Sequence, residues 1–107
     1  MARSAFLIDG YETSSKHARG PRRAEQAIAV MPWAIDPVLG TRTRRERVAV
    51  LRRFLADGCL IATKGLRARV RAQGRDRWGG EPKVWAYLFP LPDIAYVEHR
   101  AERYRRS

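Results

Sequence analysis

Lysine is scarce in this chain. Of its 22 basic residues only 3 are lysine, so arginine carries the positive charge. A GC-rich genome would enrich arginine throughout a protein, but it would not cluster it. Arginine is also the better fork for phosphate oxygens and guanine edges, and it stacks on rings. Cysteine is nearly absent. Cys59 stands alone in the apolar run Cys59-Leu60-Ile61-Ala62, which excludes an internal disulfide and suits a small buried residue in a reducing compartment. Long hydrophobic runs are missing too, and nothing approaches the roughly 20 apolar residues of a membrane-spanning helix. The apolar stretch in MARSAFLIDG is too short for a signal peptide and meets Asp9 at once. These absences point to a cytoplasmic protein with no membrane partner.

Catalytic patterns are lacking as well. There is no nucleophile elbow, no phosphate-binding glycine loop and no paired-carboxylate pattern. Asp9, Glu12, Asp36 and His99 form no recognisable nuclease set. His17 sits in a polar stretch without an evident partner. His99 and Glu102 are i, i+3 beside Glu98, and no third ligand is visible for a metal. The expectation is a protein that is not an enzyme, with no cofactor and no metal.

Acid is scarcest where base is densest. Residues 42–77 hold 12 basic residues against Glu46, Asp57 and Asp76, a net of +9 within a chain of +11. Segregated charge of this size repels itself unless a polyanion neutralises it. The partner it implies is nucleic acid. Hydrophobic content of 45% excludes a disordered basic tail, and 107 residues make one small domain. The organisation expected is a single domain over 1–107, with 1–21 a partly extended or mobile N-terminal segment and 22–107 compact.

Local patterns suggest an α+β fold with three or four helices and a short hairpin or small sheet. Residues 5–9 suit a short strand. The polar stretch 11–21 reads as an exposed loop or arm. Ala24, Ala27, Ile28 and Met31 recur at helical spacing and predict a helix over 22–31, stopped by Pro32. Residues 33–40 read as an extended connector around Pro37. Thr43 and Glu46 form a capping box that opens a helix over 44–57, closed by Gly58. Arg44 and Arg45 lie in its first turn, where the macrodipole disfavours cations and a phosphate would be welcome. Residues 59–62 suit a buried strand. Residues 83–89 (KVWAYLF) read as a strand, and Asp93 opens a last helix with Ile94, Val97, Ala101 and Tyr104 on one stripe.

Residues 63–73 admit two readings. Thr63 and Gly74 cap a helix that Ala, Leu, Arg and Gln favour, and that reading is preferred. A period of two equally sets Arg67, Arg69 and Arg71 against Leu66, Ala68, Val70 and Ala72. Paired with 83–89, such a strand would place those arginines beside Trp85, Tyr87 and Phe89, a combination suited to single-stranded nucleic acid. Against that stands the demand of a small core for its rings, which would then pack under the last helix. Trp78, between Arg77 and two glycines, suits stacking, a partner contact or a cap on the core.

The order helix, short apolar strand, basic helix, glycine turn, aromatic strand over 44–89 resembles a winged helix-turn-helix domain. Gly79 to Leu88 (GGEPKVWAYL) is similar to the wing hairpin of such regulators. The chain departs from the family in fitting only about one helix between Ala62 and Gly79. The resemblance implies that Arg67 and Arg71 enter the major groove and that Arg75 and Arg77 touch backbone near the wing. The expected nucleic-acid contacts are Arg44, Arg45, Lys64, Arg67, Arg69, Arg71, Arg75, Arg77, Trp78 and Lys83. The expected function is a small duplex-DNA-binding transcriptional regulator of bacterial or phage type. The alternatives are a protein-interaction module docking on an acidic protein or ribonucleoprotein, and an RNA- or single-strand-binding protein. A homodimer and a protein partner stay open.

Overall fold

The structure, a computed structural model, describes residues 4–8, 11–12, 18–62, 65–71 and 83–106. It is a small α+β fold. Strands β1 (Ala5–Ile8), β4 (Ala27–Val30), β6 (Lys83–Phe89) and β5 (Ala68–Arg71) form one sheet in the order β1-β4-β6-β5. All its pairings are antiparallel. Strands β2 (Tyr11–Glu12) and β3 (Arg23–Ala24) pair separately as a short ribbon. The helices are α1 (Ile35–Leu39), α2 (Arg44–Ala56) and α3 (Ile94–Arg106).

Register fixes which side chains share a face. Ile28 lies opposite Phe89, and Val30 opposite Tyr87. These four are buried against the helices, together with Ile35, Leu39, Leu51, Phe54, Val97 and Ala101. Phe54 is fully buried, with its ring edge-on to Phe89 and to Tyr104 at centroid distances of 4.9 Å each. Burying such a ring stabilises the fold by about 1.5–3 kcal/mol. Intervening residues, Ala27, Ala29, Ala86 and Leu88, are buried on the other face with Phe6, Met31 and Ile61.

That two-sided burial explains why 22–31 is not the expected helix. β4 is a central strand flanked by β1 and β6, and every residue of Ala27–Val30 is buried. A strand covered on both faces reads as a continuous apolar run rather than an alternation. The run then happens to satisfy helical spacing, and alanine adds helix propensity that tertiary pairing overrides.

Three further expectations change. Residues 33–40 are not extended: a 3₁₀ turn over Pro32–Ala34 leads into α1. Pro37 lies in the first turn of that helix, where its missing N–H costs nothing. Residues 59–62 form no full strand. They make single bridges only, Ile61 to Leu88 of β6 and Ala62 to Arg19. The second bridge, with Arg19 N–H to Ala62 O at 2.6 Å, ties part of the expected loop over 11–21 to the domain. Most consequential is 63–73. Its described part is a turn at Gly65-Leu66, a bridge at Arg67 and then β5, so the preferred helix is replaced by the strand. The local preference for helix loses here to a ladder with β6, in which Ala68, Arg69, Val70 and Arg71 face Ala86, Trp85, Val84 and Lys83. The recognition helix built on 63–73 is absent over 65–71, and Arg67 and Arg71 are not one helical turn apart. Residues 79–82 of the wing-like stretch lie outside the described residues.

The helices are fastened by polar contacts at their ends. Thr43 caps α2, its Oγ1 accepting from Glu46 N–H at 3.1 Å and donating to Glu46 Oε1 at 3.3 Å. Asp93 caps α3 by accepting from Tyr96 N–H at 3.1 Å. Asp36 on α1 accepts from Thr41 Oγ1 at 2.6 Å and from Arg47 Nη1 at 2.9 Å, which joins α1 to α2. Arg105 of α3 donates to the carbonyl of Leu39 at the end of α1. Tyr104 donates to Asp57 at the end of α2, and the Arg53 guanidinium lies 4.7 Å above its ring.

Candidate nucleic-acid interface

A cleft of about 850 Å³ opens between α2 and the β5–β6 end of the sheet. On the helix side it is lined by Arg44, Arg47, Val48, Leu51 and Arg52. These positions follow i, i+3, i+4, i+7, i+8, one stripe of an α-helix. Val48 and Leu51 give that wall an apolar stripe. Arg44 and Arg52 stand at its two ends, about 12 Å apart at a rise of 1.5 Å per residue.

The opposite wall comes from the sheet. Trp85, Tyr87 and Phe89 alternate onto one face of β6, the face that carries the helices. Tyr87 and Phe89 are buried there, so the demand of the core for rings is met by these two. Trp85 lies nearer the start of the strand, lines the cleft and is 42% exposed. The stretch Gly65-Leu66-Arg67 enters from the turn before β5, Pro32 from the 3₁₀ turn, and Arg19 from the segment bridged to Ala62.

Five arginines therefore converge on one concavity: Arg19, Arg44, Arg47, Arg52 and Arg67. No carboxylate is among its described lining residues. Arg47 is engaged by Asp36 at 2.9 Å. Among the described residues, Arg44, Arg52 and Arg67 have no acidic partner. Like charges gathered along one cleft sum to a positive potential that attracts anions.

Of the expected contact residues, the structure brings Arg44 and Arg67 together in the cleft. Arg45 is exposed on α2 and does not line it. In the β5–β6 register Arg69 lies opposite Trp85 and Arg71 opposite Lys83. Lys64, Arg75, Arg77 and Trp78 lie outside the described residues. Comparison with family models, curated proteins and solved structures finds no match.

Arg52, Arg19 and Arg47 are functional candidates that the expected set omitted. Arg52 was legible, since it follows Arg44 by eight residues on one helical stripe. Arg19 was not, because only the backbone pairing with Ala62 brings it here. Elsewhere, no cluster of three or more His, Cys, Asp or Glu residues occurs among the described residues. No helix among them is long and apolar enough to cross a membrane.

Proposed function

We propose that this chain binds nucleic acid through the cleft between α2 and β6 and acts by occupancy rather than catalysis. The observation that carries the reading is the convergence of five arginines from three segments on one concavity with no carboxylate among its described lining residues, beside a half-exposed indole. Phosphate contacts position a nucleic acid and supply most of its affinity, and arginine forks suit them. A purely solvated basic surface gives no reason for the arginines of α2 to face those of the β5 turn across a groove. The reading does not rely on a groove-reading helix in 63–73, since β5 occupies 68–71.

Charge reversal tests it. Arg52→Glu and Arg67→Glu approach the cleft from opposite walls. Each takes a cation away from a phosphate and adds repulsion. Binding of a labelled mixed-sequence oligonucleotide, followed by fluorescence anisotropy, should weaken at least about tenfold for each change. The salt slope should become shallower by about 0.7–0.9 for each phosphate no longer neutralised. Unchanged affinity and slope in both variants would refute the assignment.

A further inference from the structure

The cleft has features that phosphate binding alone does not require. Besides its arginines, the cleft is lined by Val48, Leu51, Leu66 and Pro32 together with the rings of Tyr87 and Trp85. A duplex turns its phosphates outward on a convex surface and keeps its base faces stacked inside, so it would meet only the rim. Its bases are read at their edges by a helix or ribbon that protrudes into a groove, not by a notch that receives. A notch of about 850 Å³ falls within the range of pockets that enclose drug-sized ligands.

Resting on the nucleic-acid reading, we infer that the ligand is a single strand, with one base stacked on Trp85 inside the cleft and the flanking phosphates held by Arg44, Arg52 and Arg67. The placement of Trp85 carries this. Its neighbours on the same face, Tyr87 and Phe89, are 9% and 0% exposed, while Trp85 is 42% exposed. The indole is thus presented among cations. Base–aromatic stacking beside a backbone-tracking basic groove is how proteins hold single strands with little sequence preference. Arg69 sits opposite Trp85 in the register and Arg71 opposite Lys83. Single-stranded DNA and RNA share this chemistry of exposed base faces and phosphates.

The test uses the intact chain and labelled probes of about 12 nucleotides, a length within single-strand site sizes. The probes are single-stranded DNA, single-stranded RNA of the same sequence, the DNA duplex, and a nucleoside monophosphate as competitor. The expected result is that at least one single strand binds about tenfold or more tighter than the duplex, and that the DNA and RNA arms show which. Trp85→Leu, which keeps apolar bulk but no ring, should lose about 10- to 100-fold in single-strand affinity, whereas Trp85→Phe should retain most of it. Melting temperatures of both variants show that each is folded. Duplex binding as tight as single-strand binding, or Trp85→Leu behaving like wild type, would overturn the inference and leave the nucleic-acid reading standing. A monophosphate that competes as well as the oligonucleotide would also overturn it, in favour of a nucleotide pocket. Failure of every probe to bind would remove both.

Discussion

The Tyr104 hydroxyl ties the last helix to the end of the central one, and its removal is a measurable perturbation. Tyr104 is buried and its ring stacks edge-on with Phe54. Tyr104→Phe keeps that packing and leaves the Arg53 guanidinium above the ring. It deletes the bond donated to Asp57 and the one accepted from Arg100 Nη1 at 3.3 Å. Asp57 is exposed, so water re-solvates it when the phenol is gone. The loss therefore sits at the lower end for a bond to a charged group, about 1–1.5 kcal/mol. For a domain of this size that lowers the melting temperature by about 4–12 °C. The effect has a pH signature as well. Burial, reinforced by the bond to Asp57, raises the phenol above its ordinary value near 10. The unfolded chain then loses its phenolic proton first. This contribution is complete below about pH 10 and disappears as pH rises through the folded-state value. Urea unfolding at about pH 8 and about pH 11 should show the gap between wild type and Tyr104→Phe narrowing at the higher pH. A gap that stays constant or widens, or a melting shift below about 2 °C at neutral pH, would refute the role of this hydroxyl.

Two glycines with the same backbone angle should respond differently to alanine. Gly20 and Gly58 have φ of +75° and +74°, but a Cβ at Gly20 would lie 2.1 Å from the Leu60 carbonyl oxygen, whereas nothing lies within 4 Å at Gly58. Gly58→Ala should cost about 1–2 kcal/mol from the left-handed backbone alone, and Gly20→Ala clearly more, by urea midpoints. Arg44 and Arg45 should separate binding from stability. Each change to glutamate removes a cation from the start of α2 and should stabilise by about 0.3–1 kcal/mol in thermal melts, but only Arg44→Glu, which alters the cleft, should weaken oligonucleotide binding strongly.

Elements with local punctuation were legible in the sequence. Thr43 and Gly58 bracket α2, Asp93 opens α3, and the aromatic alternation of β6 is a local strand pattern. Elements defined by their neighbours were not. β4 is a strand because β1 and β6 flank it, and its residues carry no alternation since both faces are buried. β5 is a strand because β6 offers a ladder, and its alternating arginines recorded this beneath a helical composition. The candidate site shows the same division. The charge concentration over 42–77 and the i, i+8 pair on α2 are local facts. The convergence of Arg19, Arg52, Arg67 and Trp85 is produced by long-range pairing that no window of sequence contains.

The most direct test of nucleic-acid binding through this cleft is the salt dependence shown by the unmodified chain. Four arginines of the cleft are available to phosphates, Arg19, Arg44, Arg52 and Arg67, with Arg47 held by Asp36. At about 0.7 per phosphate neutralised on a single strand, the plot of log affinity against log salt should have a slope of about −3. A slope near zero between about 50 and 200 mM salt, or no binding at the lower value, would contradict the account.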